Sequence, residues 1–152
     1  MKHFLTSFAA LIALCSSDCF DEEKWIELFD GESLSGWSMA AHGMAEYSVK
    51  DGTIYGKTVE GSPNSFLASD REFGDFELTF EVKVHDQLNS GVQIRSREKT
   101  EEDVAAEQAR TGNAPRGNNG LGRFHGPQVE IESSPGQAGY IYGEATGYGW
   151  LS

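Results

Sequence analysis

One segment alternates between apolar and polar residues more strictly than any other part of the chain. Over residues 76–84 every second residue is apolar, with glutamate, threonine or lysine between. Nine residues of strict alternation predict a half-buried β-strand. After a turn-rich break over residues 85–91, the alternation resumes, with Gln93 and Arg95 on its polar face. We therefore predict a β-hairpin that carries polar, partly cationic side chains on one face.

Short apolar runs between glycine turns fill most of the remaining chain and predict further strands. The sequence Asp51-Gly52 joins two of these runs and is the favoured two-residue turn of a hairpin. Turn signals recur every 8 to 12 residues, which is typical of a β-sandwich or barrel. We therefore predict an all-β domain with strands at residues 26–29, 47–50, 53–56, 65–69, 127–132 and from 139 onwards.

Residues 98–110 are the exception to this pattern. Thr100 followed by Asp103 resembles an N-terminal capping box, and the segment is rich in good helix formers. We predict one short surface helix there. The glycine- and asparagine-rich residues 111–126 are predicted to form a long loop, and loops of this length are usually functional or disordered.

The strand that follows this loop has one strongly polar face. Val129 and Ile131 alternate with Gln128, Glu130 and Glu132. Because successive side chains point to opposite faces, and the two apolar residues are expected to face the core, the three polar residues should project away from it.

The N-terminus indicates export. Residues 4–15 form an apolar core behind Lys2, and small residues at 16 and 17 offer a cleavage site before a run of acidic residues. We predict a signal peptide over residues 1–17, a mature domain over 18–152, and a periplasmic or extracellular location. The apolar run is too short for a stable membrane span. Cys15 and Cys19 lie in or beside the leader, so neither a disulfide framework nor a cysteine site is expected in the domain.

Length and charge narrow the class of partner. The 152 residues suffice for one domain with a real core. The formal net charge of −12 would repel nucleic acid and anionic membranes, so neither is an expected partner. An acidic surface fits a neutral or cationic ligand, or simply solubility.

Six motifs in order resemble one known family. They are W-x-x-L-F-D-G-x-x-L-x-G-W at 25–37, D-G-x-I-Y-G at 51–56, F-G-D-F-E-L at 73–78, N-S-G-V-x-I-R at 89–95, Q-V-E-I at 128–131 and G-Y-I-Y-G at 139–143. Together they resemble the 3-keto-disaccharide hydrolases, also described as 3-keto-glucoside lyase/hydratase domains. The resemblance implies a concanavalin A-like jelly-roll β-sandwich, one of whose sheets carries a ligand groove. Members of the family usually continue for several more strands, so the resemblance also implies that the domain is truncated at its C-terminus.

The resemblance implies a disaccharide or glycoside substrate that is already oxidised to a ketone at sugar carbon 3. The ketone acidifies the C2 hydrogen, so a modest base can remove it, the C1 substituent leaves, and water adds back. This chemistry needs a base near C2 and an electrophile at the developing enolate oxygen. Glu130 is our leading candidate for the base, with His125 as rival and Glu132 third. Arg95 is the candidate for the electrophile, unless it only forms a surface ion pair.

Other polar and aromatic residues suit sugar recognition. Asn89, Gln93 and Gln128 could hydrogen-bond sugar hydroxyls, and Tyr142 could stack on a sugar face together with Tyr140 and Trp150. No cofactor is clearly indicated. A divalent metal held by Glu130, Glu132 and His125 could serve as a Lewis acid.

Two other functions stay open at this point. A conventional sandwich glycosidase would carry a third acid on the strand, but that position falls on Pro135, which breaks the set that begins with Glu130 and Glu132. A non-catalytic carbohydrate-binding module of the same fold would use the same amides and aromatics. Turnover of a 3-keto-glycoside distinguishes the enzyme from the binding module.

Overall fold

The computed structural model describes residues 25–40, 43–85, 88–133 and 136–152, and the backbone of three residues nearer the N-terminus. In chain order the elements are β1 (Leu11–Ala13), β2 (Ile26–Glu27), β3 (Trp37–Ala40), β4 (Glu46–Lys50), β5 (Thr53–Lys57), β6 (Phe66–Ser69), β7 (Glu77–Thr79), β8 (Asn89–Gln93), β9 (Arg97–Glu98), α1 (Glu101–Thr111), a 3-10 turn (Gly117–Asn119), β10 (Phe124–Glu132), β11 (Ile141–Glu144) and β12 (Gly149–Trp150).

The described elements are strands apart from one α-helix and one 3-10 turn, which confirms the predicted all-β class with a short helix. No helix within the described ranges has the length and apolar character that a membrane crossing requires. The predicted signal peptide of residues 1–17 lies outside the described residues, apart from the backbone of β1. Its cleavage stays a prediction.

The chain divides into two compact units. The first consists of residues 1–39, 44–62 and 67–82, and contains β1, β2, β4, β5 and β7. In it β1 pairs with β2 and β7, and β4 pairs with β5. Asp51 and Gly52 have φ angles of 51° and 71°, the left-handed pair that a two-residue hairpin turn of this type requires. The predicted hairpin at this turn is confirmed.

The predicted hairpin over residues 73–96 is wrong. Its first half is a strand only over β7, which pairs with β1, whereas its second half, β8, pairs with β10. Alternation fixes which side chains share a face, but it carries no information on which strand lies alongside. The later strand β10 offers β8 five paired residues, and this non-local pairing is the one that forms.

The second unit, residues 40–43, 63–66 and 83–152, is organised around β10. In its sheet the strand order is β12-β11-β10-β8, and β9 also pairs with the beginning of β10. β10 starts at Phe124, inside the segment predicted as loop. Nine residues long, it is the strand from which the polar side chains of the site project.

A bulge interrupts the edge that β8 and β9 present to β10. Gln93 lies opposite Gln128, and Arg97 lies opposite His125, so four steps on one side match three on the other. Arg95, between them, has a φ of 50°, the left-handed backbone that a bulge of this kind uses. The sequence placed Gln93, Arg95 and Arg97 on one continuous face, but the extra residue moves Arg97 to the face of His125.

Helix α1 begins where the capping box predicts. The Thr100 hydroxyl accepts the Asp103 backbone N–H at 3.3 Å, and the Asp103 carboxylate accepts the Thr100 N–H at 2.8 Å. The helix ends at Gly112, whose φ of 73° and N–H bond to the Gln108 carbonyl close the last turn.

Removing the cap hydroxyl should therefore destabilise the fold. Thr100→Ala is expected to lower the free energy of unfolding by about 1 kcal/mol, because the Asp103 N–H loses its acceptor. Urea denaturation measures the change. Thr58→Ala, at an exposed threonine outside regular structure, is the control and should change stability little. Equal effects of the two substitutions would contradict a capping role.

Candidate substrate site and the basic cleft

Strand pairing brings most of the predicted sugar-binding residues to one face of the second unit's sheet. Gln128 lies opposite Gln93 on β8 and opposite Tyr142 on β11, and Glu132 lies opposite Asn89. Directly opposed residues, and residues two apart on one strand, share a face. We call this the polar face, and its members are Asn89, Gly91, Gln93, Gln128, Glu130, Glu132 and Tyr142.

The Glu130 carboxylate is fixed by two amides on this face. Its Oε2 accepts the Asn89 Nδ2–H at 3.0 Å, and its Oε1 accepts the Gln128 Nε2–H at 2.8 Å. Glu130 is only 5% exposed. Each oxygen keeps a further lone pair, so the group is oriented without being exhausted as an acceptor.

Gly91 makes this arrangement sterically feasible. A Cβ on Gly91 would lie 2.5 Å from Cγ of Gln128 and 2.8 Å from the Val129 carbonyl oxygen. The absence of a side chain therefore lets Gln128 lie across β8 and reach Glu130. Sequence reasoning assigned Gly91 only to a turn, although a glycine beside a strand pattern can also indicate a close approach by a neighbouring residue.

Burial on β10 runs opposite to the sequence expectation. Gln128 and Glu130 are 8% and 5% exposed, whereas Val129 and Ile131 are half-buried. Alternation separates the two faces but does not say which one is covered. The polar face is covered because its side chains bond to one another, which offsets the cost of removing them from water.

The Gln93 side chain is the group on this face whose hydrogen bonding is incomplete. Its Oε1 and Nε2 atoms are both buried, and neither has a hydrogen-bond partner in the described part of the chain. Buried amides are nearly always bonded, so such a pair of atoms marks a place where a ligand or water binds. This supports the prediction that Gln93 contacts a sugar hydroxyl.

Aromatic rings border the polar face. The Tyr142 ring meets Trp150 edge-on with centroids 5.0 Å apart, and Tyr140 meets the same indole at 6.3 Å. Tyr140 and Trp150 are 51% and 47% exposed. Exposed rings beside a row of amides are suited to stacking on a sugar, as predicted for these residues.

Glu132 and the proposed metal ligands do not form a shared site. The Glu132 Oε1 accepts the Gln137 backbone N–H at 2.5 Å, which holds the turn after β10. Among the described residues, no three histidine, cysteine, aspartate or glutamate side chains converge closely enough to hold a metal ion. The set Glu130, Glu132 and His125, predicted as possible ligands, is therefore not assembled in this structure.

Arg95 and His125, the other two catalytic candidates, lie in a separate cleft of about 460 Å³. Its lining includes both of them but, among the residues described, not Glu130. We call it the basic cleft. Its charged lining residues are Arg95, Arg97, Lys99, Arg110, Asp103 and Glu107. The structure thus brings Glu130 together with the predicted sugar ligands, and brings Arg95 together with His125.

Two ion pairs organise the wall of the basic cleft. Arg97 donates two hydrogen bonds to the Asp103 carboxylate at 2.5 and 2.7 Å, and the Lys99 ammonium meets Glu107 at 2.5 Å. The Arg97 hydrogen bond, followed by the Thr100 N–H, holds the pKa of Asp103 well below its usual range. The side chain of Lys99 is 1% exposed and also donates to the Asn119 carbonyl at 2.8 Å.

His125 is a neutral imidazole at neutral pH. Burial lowers its pKa, and the neighbouring Asp103 carboxylate, 3.8 Å from Nε2, opposes that effect only in part. The Nε2 atom is buried without a hydrogen-bond partner in the described chain. His125 is therefore in the protonation state of a base, but it faces the basic cleft.

Sequence reasoning missed a buried ion pair near the start of β10. Arg123 Nη2 donates to Glu144 Oε1 at 2.5 Å, and Arg123 Nη1 donates to the Asn64 carbonyl at 3.1 Å. The two charged residues are 3% and 8% exposed. They are distant in sequence and stand in loop and strand-end positions, so no pattern signalled the pair.

Comparison with known proteins decides the family. A family model described as the 3-keto-alpha-glucoside-1,2-lyase-like domain matches residues 24–149. The chain belongs to this family. The resemblance inferred from the six sequence motifs is confirmed, and it indicates a sugar-binding protein whose activity concerns 3-keto-glycosides in general. A search of curated proteins finds no match.

Proposed function

We propose that the protein cleaves 3-keto-disaccharides or 3-keto-glucosides on the polar face, with Glu130 as the general base. The observation that carries this proposal is the Glu130 carboxylate, held by two amides beside the buried, unbonded amide of Gln93. A fixed base and an unbonded donor on one face meet the two needs of enolate chemistry.

The reaction proceeds in three steps. Glu130 removes the C2 proton, and the electron pair passes to the C3 carbonyl oxygen to form an enolate. The enolate carbonyl then re-forms, the C1–O bond breaks, and the released alcohol takes up a proton. Water adds across the resulting C1–C2 double bond and gives the free 3-keto-sugar. We assign the enolate oxygen to the Gln93 Nε2–H, because Arg95 lies in the basic cleft.

Access to the carboxylate runs past Asn89. This residue is exposed, and its amide covers Oε2 of Glu130 at 3.0 Å. A substrate hydroxyl that takes over the Asn89 hydrogen bond brings the C2 hydrogen towards the carboxylate. The exposed rings of Tyr140 and Trp150 offer a stacking surface for the same sugar.

The direct test is turnover of 3-keto-trehalose or 3-keto-sucrose by the full-length protein, with and without a chelator. We expect release of the 3-keto-sugar and the second sugar at equal rates, with the same rate when chelator is present. Unoxidised trehalose should remain intact, because its C2 hydrogen lacks the neighbouring ketone. Binding of unoxidised glycans without turnover of the 3-keto forms would contradict the proposal and identify a carbohydrate-binding module.

A further inference from the structure

The basic cleft concentrates positive charge on a strongly acidic protein. Its lining carries four cationic side chains and two carboxylates, whereas the whole chain has a formal net charge of −12. A local excess of two positive charges within such a chain attracts an anion to this one place. The polar face, by contrast, presents mainly amides and carboxylates.

Arg110 presents a fixed guanidinium in this cleft. Its Nη2–H donates to the Thr146 carbonyl at 2.5 Å, and its guanidinium carbon lies 3.6 Å from the centroid of the Tyr148 ring. In the described part of the chain this is its one hydrogen bond, so most of its five N–H donors remain for a ligand. A pre-oriented guanidinium is suited to bidentate binding of a planar carboxylate.

Two further features of the lining indicate a ligand. His125 Nε2 is buried and has no hydrogen-bond partner among the described residues, which leaves a polar atom for a bound group to satisfy. Arg95 is held in left-handed backbone, with a φ of 50°, and non-glycine residues in this conformation cluster at functional sites.

The cleft adjoins the polar face along β10. Gly126 is part of the cleft lining and stands two residues before Gln128 on the same strand, so the two Cα atoms are separated by roughly 7 Å. This distance is comparable to one sugar unit. A disaccharide with its keto-sugar at Glu130 can therefore extend its other end towards Arg110.

We propose that the basic cleft binds a carboxylate, and that the preferred substrates are 3-keto-glycosides with a carboxylate on the sugar or aglycone that reaches Arg110. A monoanion fits better than phosphate, because the excess is only two positive charges and the net charge of the chain repels dianions more strongly. The substrate assignment rests on the proposed function, whereas binding of a carboxylate does not.

Calorimetric titration of the full-length protein with glucuronate, glucose and inorganic phosphate tests the proposal. Glucuronate is expected to bind at least about tenfold more tightly than glucose, and more tightly than phosphate. Arg110→Met should weaken glucuronate binding by about tenfold or more, since it removes a charged donor. Arg95→Met, the second variant, should weaken it in the same direction.

Arg71→Met is the matched control. Arg71 also stacks on an aromatic ring, with its guanidinium carbon 5.3 Å from the Phe73 centroid, but it lies outside the basic cleft. The substitution removes the same charge and the same kind of contact, and should leave glucuronate binding unchanged. Equal affinity for glucuronate and glucose, or equal loss in the Arg71 and Arg110 variants, would overturn the proposal. Tighter binding of phosphate would overturn the carboxylate assignment.

The two proposals fail separately. If 3-keto-trehalose is cleaved but glucuronate does not bind, the catalytic proposal stands and the carboxylate site is wrong. If glucuronate binds in an Arg110-dependent manner but no 3-keto-glycoside is cleaved, the carboxylate site stands and the catalytic function is wrong.

Discussion

Glu130→Gln is expected to lower turnover of a 3-keto-disaccharide by about 100-fold or more, the usual contribution of a general base. Glutamine keeps the shape of the side chain but cannot accept the C2 proton. Sugar binding should survive, because the amides of Gln93 and Asn89 remain. Steady-state kinetics combined with titration of an uncleaved analogue separates the two quantities.

Glu132→Gln is the control for this experiment. Glu132 lies on the same strand, and its carboxylate holds the Gln137 N–H in the turn after β10. Its loss should leave turnover near that of the unmodified protein. A thermal melt of each variant distinguishes lost chemistry from lost folding. If Glu130→Gln keeps full turnover while His125→Ala abolishes it, the base is His125 and the assignment is wrong.

Arg123→Met is expected to lower the free energy of unfolding by about 3–5 kcal/mol, the typical cost of removing one partner from a buried ion pair. The substitution leaves the Glu144 carboxylate buried with only the Asn64 Nδ2–H as its remaining printed donor, at 3.1 Å. Urea or thermal denaturation measures the loss.

Two further variants determine whether the buried charge causes this loss. In Arg123→Met/Glu144→Gln the uncompensated charge is removed and the Asn64 hydrogen bond is retained, so most of the stability should return. Arg97→Met breaks the pair with Asp103, where the arginine side chain is 59% exposed, and should cost less than about 1 kcal/mol. A similar loss in Arg97→Met and Arg123→Met would argue against a special role of burial.

Features that depend on neighbouring residues could be predicted from the sequence. The Asp51-Gly52 hairpin and the Thr100 capping box formed as expected, because both are set by backbone conformations and hydrogen bonds within a few residues. The alternation around Glu130 correctly separated Gln128, Glu130 and Glu132 from their apolar neighbours. Family membership also followed from the sequence, since six ordered motifs carried it.

Features that depend on distant partners were decided only by the tertiary structure. Pairing of β8 with β10 replaced the predicted hairpin, and the bulge at Arg95 separated the arginines from the face of Gln93. Burial of Glu130 required Gly91, on another strand, to leave room for Gln128. Alternation determines the two faces of a strand, but strand pairing and side-chain packing determine which face is covered and which catalytic candidates meet, because both depend on residues far apart in the chain.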